Sequence, residues 1–282
     1  MSTYILRVSS ADRPGIVASV SGYLYEQGFN VEDASQFNDH LSDRFYMRVV
    51  FCIADDDADI EGFKQGFEHI AQKFEIEWSV YPAEEKVKAI LMVSKEDHCL
   101  EDIWYRVRTN QLPIEIMAVV SNHEVCREQV EGRGIRFEYM PVTSDTKAQQ
   151  EENLAGLIEE TQSELVVMAR YMQILTNDFC NRYVGRIINI HHSFLPWFKG
   201  AKPYHQAWER GVKLIGATAH YATADLDEGP IIEQETARIS HKMTPDKLHL
   251  MGKDIEAHVL SRALSYYAER RIFLFDGRTI IL

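Results

Sequence analysis

Cysteine is scarce and unpaired: Cys52, Cys99, Cys126 and Cys180 stand singly in 282 residues, with no CxxC pair. Such spacing excludes a disulfide framework and a thiolate zinc site, and it suits a reducing cytoplasm. Basic residues are outnumbered, 30 Lys and Arg against 43 Asp and Glu, for a net charge of −13. Polyanion binding needs clustered cations, so no nucleic-acid partner is expected. No window approaches the roughly 20 apolar residues of a membrane span. The start, Met1 to Arg7, has no basic stretch before a long apolar run, so a chain that is neither exported nor membrane-embedded is expected. HxxxH and HExxH spacings are missing too. His192, His205 and His220 are therefore read as satisfied or exposed histidines, and no metal is expected.

What is present divides into two patterns. Tyr4 to Val8 reads as a strand. Asp12-Arg13-Pro14-Gly15-Ile16 then opens a helix with Ile16, Val17, Val20 and Leu24 at helical spacing, Pro14 in its first turn and Gly28 as its stop. Val31 to Phe37 is a weaker strand, and Phe45, Met47, Val49 and Phe51 alternate as one buried face of the next. Ile60, Phe63, Phe67, Ile70 and Phe74 mark a second helix, followed by a strand with Ile76, Trp78 and Val80. The order βαββαβ is that of a ferredoxin-like unit. The polar stretch Tyr81 to Lys86, with Pro82, places a boundary between residues 82 and 83. Short apolar runs follow at Val87–Val93, Ile114–Val120, Ile135–Tyr139, Leu165–Ala169 and Arg186–Ile190, with amphipathic stretches such as Asn153–Thr161 between them. This alternation predicts an α/β domain over 83–282 with a doubly wound, mostly parallel, Rossmann-like sheet. Asp55 to Asp59 reads as a solvated helix start, where carboxylates are favoured. A homo-oligomer is expected, because a ferredoxin-like sheet has free edges.

Asn189 and His191 stand two apart at the end of the run Arg186 to His191. Side chains at i and i+2 leave a strand on the same face, so a carboxamide and an imidazole converge at one strand end. Ligands of such sheets sit outside those carboxyl ends. An amide can hold a developing oxyanion, an imidazole can move protons near neutral pH, and a carboxylate, here Asp227, can orient either. These are the tools for chemistry at a carbonyl carbon.

Asn189 to Pro196, followed by His220 to Pro230 with Asp227 36 residues after His191, resembles the signature of the folate-dependent formyltransferase fold. Asp12-Arg13-Pro14-Gly15 is similar to the opening of an ACT module. The pairing of the two resembles the formyltetrahydrofolate deformylases across nearly the whole chain. That resemblance implies hydrolysis of 10-formyltetrahydrofolate to formate and tetrahydrofolate. It implies Asn189, His191 and Asp227 as catalytic residues, and Met172, Gln173, Ile174, Leu175, Ala224 and Asp225 lining a pterin slot largely through backbone groups. No cofactor besides the folate substrate is implied, Leu195-Pro196 is a candidate cis bond, and Lys199 or Lys202 could reach a glutamate tail. An amino-acid effector, glycine or methionine, is implied at Asp12 and Gly15, although that turn can equally serve only to start its helix. Relatives that formylate a ribose phosphate carry a glycine-rich turn after the first strand of this domain. Here that place reads Ser94-Lys95-Glu96-Asp97-His98-Cys99-Leu100, without glycine and with two carboxylates, which favours water as acceptor. The alternatives are transfer to an amine and a catalytically silent folate or amino-acid sensor.

Overall fold

The structure, a computed structural model, describes residues 2–53, 59–196 and 203–282. Asp55 to Ala58, Lys199 and Lys202, singled out above, lie outside the described residues. The chain forms two compact units: Met1–Glu85 with Glu269–Phe273 and Ile280–Leu282, and Lys86–Ala268 with Leu274–Thr279.

The first unit contains β1 (Ser2–Ala11), α1 (Ile16–Glu26), β2 (Asn30–Asp39), β3 (Arg44–Ile53), α2 (Ile60–Phe74) and β4 (Glu77–Pro82). Its sheet is antiparallel with order β2-β3-β1-β4, the βαββαβ arrangement expected. Phe45, Met47, Val49 and Phe51 enter the core with Ile16, Val20, Leu24, Phe63 and Phe67. Three local expectations need correction. Gly15, in the left-handed region at φ 96, is the N-cap of α1, so Pro14 precedes the cap instead of standing in the first turn. Val17 is 38% exposed and contributes little to the core. The division at 82/83 gave the whole C-terminus to the second domain, whereas 269–273 and 280–282 group with the first unit. The physical reason is bonding that periodicity does not show. Arg48 Nε donates to Glu269 O at 3.0 Å, Arg7 donates to Ile272 O, and the Tyr46 and Phe273 rings meet edge-on at 5.5 Å. Hence β3 is buried on both faces, Tyr46 and Arg48 included.

The second unit continues with β5 (Val87–Val93), α3 (His98–Arg108), β6 (Ile114–Ser121), α4 (Arg127–Glu131), β7 (Phe137–Tyr139), α5 (Lys147–Thr161), β8 (Leu165–Met168), α6 (Asn177–Arg182) and β9 (Ile187–His191). After these come α7 (Pro203–Glu209), β10 (Leu214–Tyr221), β11 (Ile231–Arg238) and α8 (Pro245–Ala268); the hairpin strands β12 (Ile272–Phe275) and β13 (Arg278–Ile281) that follow are divided between the two units. Seven strands run in the order β11-β10-β9-β8-β5-β6-β7. Those from β9 to β7 are parallel, and β10 and β11 are antiparallel additions. Ile90, Met92, Val120, Leu154, Ile158, Val166 and Ile187 share one core, as unbroken apolar runs in a sheet covered on both faces should. The chain builds outward from β5 through β6 to β7, then returns to lay β8 on the other side of β5. That reversal is the topological switch point, beside which open α/β sheets bind ligands. Among the described residues, no helix is long and apolar enough to cross a membrane.

Candidate active site

Asn189 and His191 sit at the carboxyl end of β9, and the register pairs Asn189 with His220 and His191 with Thr218 across to β10. Asp227 arrives from the turn between β10 and β11 with φ 58, a left-handed conformation that aspartate tolerates better than most residues. His191 Nδ1 lies 3.2 Å from Asp227 Oδ1, and both side chains are nearly buried. The carboxylate thus selects the Nδ1–H form of His191, and Nε2 accepts from Ser193 Oγ at 2.8 Å. On the other side, His220 Nδ1 donates to Tyr221 O at 2.9 Å, which leaves Nε2 to accept from Asn189 Nδ2 at 3.1 Å. One amide N–H of Asn189 is consumed, and the second remains for a ligand. Asp227 Oδ1 is also 3.8 Å from His220 Nε2, so the four side chains form one cluster.

The electrostatics assign different work to the imidazoles. Burial lowers the pKa of His220 and keeps it neutral, as its accepting role requires. Burial, reinforced by Arg170, brings His192 down to about 3. Both are therefore neutral imidazoles at neutral pH, and His191 is the imidazole nearest the carboxylate, at 3.2 Å. Burial alone would raise the Asp227 carboxyl. The hydrogen bond and charge of His191, with His220 nearby, outweigh it and hold Asp227 ionised below the usual carboxylate range.

The His192 shift has a consequence for stability. The unfolded chain binds a proton at the ordinary 6.5, the folded one only near 3, so between those values the unfolded state holds more protons. Stability is therefore full above pH 6.5 and is lost as pH falls toward 3, with a slope approaching about 1.4 kcal/mol per pH unit from this group. Thermal unfolding followed from pH 7 to pH 4 should show the decline, and His192→Asn should flatten it. An equally steep decline in that variant would assign the acid sensitivity elsewhere.

Beside the trio lies a narrow cleft of about 40 Å³, lined by Gln173, Ile174, Leu175, Asn189, His220 and Asp227, among others. The structure thus brings Gln173 and Leu175 to the trio. Met172, Ala224 and Asp225 do not line this cleft: Met172 is 55% exposed with its N–H on Ser94 Oγ, and Asp225 is exposed. A separate cavity of about 610 Å³, bordered by His192, Phe194, Tyr204 and Leu214, contains none of the trio. Asp12 and Gly15 border a third cavity, about 350 Å³, with Arg13, Gln36 and Asn38. Asn38 Nδ2 donates to Asp12 Oδ2 at 2.8 Å.

His220, Ser193 and Thr218 were not singled out as site residues. Thr218 Oγ1 donates to Ser193 O and accepts from Leu195 N, both at 3.0 Å, and so pins the turn that leads to the cis Leu195-Pro196 bond. The available signal was the two-residue spacing of Thr218 and His220, which places them on one face of a strand. The register that sets that face against Asn189 and His191 is a tertiary fact.

The fold and this cluster define the class, a formyl transferase unit preceded by an ACT unit. Residues 87–264 match the family model described as Formyl transferase, and residues 4–64 match the ACT domain model. A relative from Corynebacterium sp. (strain P-1), named formyltetrahydrofolate deformylase, is 43% identical over 99% of this chain and 98% of its own length. The solved formyltetrahydrofolate deformylase of Burkholderia mallei ATCC 23344 superposes with a TM-score of 0.95 at 43% identity, covering 100% of both chains. A more distant structure, glycinamide ribonucleotide transformylase 1 from Symbiobacterium toebii, gives a TM-score of 0.67 at 27% identity, covering 72% of this chain and 97% of its own. The chain belongs to the formyltetrahydrofolate deformylase family.

Proposed function

We propose that the second unit hydrolyses 10-formyltetrahydrofolate, with the hydrogen-bonded cluster Asn189, His191, His220 and Asp227 at the end of β9 as the observation that carries the assignment. Asp227, ionised and tied to His191, positions a water against the formyl carbon. As the water adds, Asn189 donates its remaining amide N–H to the carbonyl oxygen that gains charge. The proton released is taken by the His191–Asp227 pair and returned to the folate nitrogen as the C–N bond breaks. Water is consumed, and formate and tetrahydrofolate leave. His220 is a positioning residue that sets the plane of the Asn189 carboxamide. The pterin belongs in the cleft beside Leu175, and at about 40 Å³ that cleft must widen to take it.

No metal is required by this scheme. The one group of metal-type donors among the described residues, His98, Cys99 and Glu256, has its carboxylate committed to His98 and to Arg170 at 3.2 Å, and a guanidinium beside it repels a cation. Purified protein given 10-formyltetrahydrofolate and no amine should release formate, undiminished after dialysis against a chelator. Silence relieved by an added amine would make the protein a transferase, and silence throughout a binding protein. The cavity at Asp12 and Gly15 supports an amino-acid effector at the ACT unit. Glycine and methionine titrated into the same assay test it, and indifference to both leaves that unit as a means of assembling a homo-oligomer.

A further inference from the structure

The switch-point crevice between β5 and β8 is filled from within by a charged network that the hydrolytic scheme does not use. Glu96 comes from the loop after β5, and Arg170, at φ 64, from the turn after β8. Arg170 Nη2 lies 2.7 Å and Nε 3.2 Å from Glu96 Oε2. The other carboxylate oxygen, Oε1, takes His249 Nε2 at 2.8 Å and Lys253 Nζ at 3.2 Å, both from α8. Behind Arg170 stands Glu256, fully buried, bonded to His98 Nε2 at 2.9 Å and to the Tyr204 hydroxyl. Gly252, one turn before Glu256, makes this possible. A Cβ there would lie 2.1 Å from the Tyr204 ring, so only glycine lets that ring cross α8 and reach the carboxylate.

The arrangement around Glu96 is that of a bound anion. A guanidinium from one strand end, and an imidazole and an ammonium from one helix face, converge on a single carboxylate; against burial, which would raise it, Arg170 and Lys253 hold it ionised down to about 2. Arg170 is 8% exposed, and its Nη1 is buried without a partner among the described residues, so its guanidinium is fixed by the fold and has a donor to spare. Lys253 and His249 are 29% and 38% exposed, so the mouth of the site is open to solutes. We infer that Glu96 is the built-in occupant of an anion site formed by Arg170, His249 and Lys253, and that by filling the site it bars acceptor substrates carrying a phosphate or carboxylate and leaves water as the acceptor. This specificity determinant rests on the hydrolytic function proposed above, but it is tested by binding, apart from turnover.

Inorganic phosphate is the probe. The parent protein is expected to show no saturable binding by calorimetry, and Glu96→Ala to bind phosphate at least about tenfold more tightly, because a guanidinium, an ammonium and an imidazole then face an empty position. Adding Arg170→Met to that variant should abolish the gain. Glycinamide ribonucleotide should slow formate release by Glu96→Ala and leave the parent unaffected. If Glu96→Ala does not fold, Glu96→Ser, whose side chain is also too short to fill the position, serves in its place, with folding checked by its unfolding temperature. Equal phosphate binding by parent and variant, or a gain that survives Arg170→Met, overturns the anion site. A variant that binds phosphate yet ignores glycinamide ribonucleotide overturns the exclusion of acceptors. Formate release by the parent, measured alone, reports on the hydrolytic function independently of these outcomes.

Discussion

Asn189→Ala is expected to slow formate release by roughly a hundredfold or more, with little change in KM and a protein that still folds. Removing one donor from an oxyanion site typically costs about 3 kcal/mol of transition-state stabilisation. Asn189 is half-buried at the end of β9, and its amide bonds to His220 Nε2, so the structural loss is one ordinary hydrogen bond, about 1 kcal/mol. The two costs fall on different measurements, the first on kcat and the second on the unfolding temperature. A charge that forms only during reaction is stabilised only then, which is why substrate affinity should be nearly untouched. Asn189→Ala with kcat within a few-fold of the parent would remove the carboxamide from the mechanism. His220→Phe separates support from chemistry: loosening Asn189 should lower kcat by less than deleting it.

Gly229→Ala should be as damaging from outside the trio. An added Cβ at Gly229 would lie 1.7 Å from the backbone oxygen of Tyr221, and Tyr221 N is already bonded to Pro230 O at 2.9 Å. Neither side can yield as a flexible side chain would, so the turn between β10 and β11 must shift by more than 1 Å or so to restore contact distance. Asp227 is two residues away in the same turn, and reacting groups misplaced by about that much lose on the order of a hundredfold. Gly156→Ala is the control. Nothing lies within 4 Å of a Cβ there, and the position is inside α5, where alanine is preferred by about 1 kcal/mol. Activity should collapse in the first variant and persist in the second. Parent-like turnover by Gly229→Ala would show that the position of Asp227 is not set by this turn.

The two-domain plan and the strand end that carries Asn189 and His191 were legible because each rests on local spacing. Alternation at Phe45 to Phe51, helical recurrence at Phe63 to Phe74, and an amide two positions before an imidazole are all visible within a few positions. The second face of β3 was not. Tyr46 and Arg48 are buried by residues more than 200 positions later, and no window reaches that far. Likewise, a glycine-free loop after β5 is plain in the sequence, but its meaning depends on Arg170, 74 residues on.

By itself the sequence determined which side chains are available at carbonyl chemistry and on which strand they stand, since a period of two needs no knowledge of the rest of the fold. Tertiary structure decided what those side chains can do. His220 became the support of Asn189 through the register of β10 on β9, and Asp227 became the partner of His191 through a left-handed turn. Proton affinities and donor directions arise from burial and contact among segments distant in the chain, which is why the candidate groups are visible in the sequence and their hydrogen-bond partners only in the paired strands.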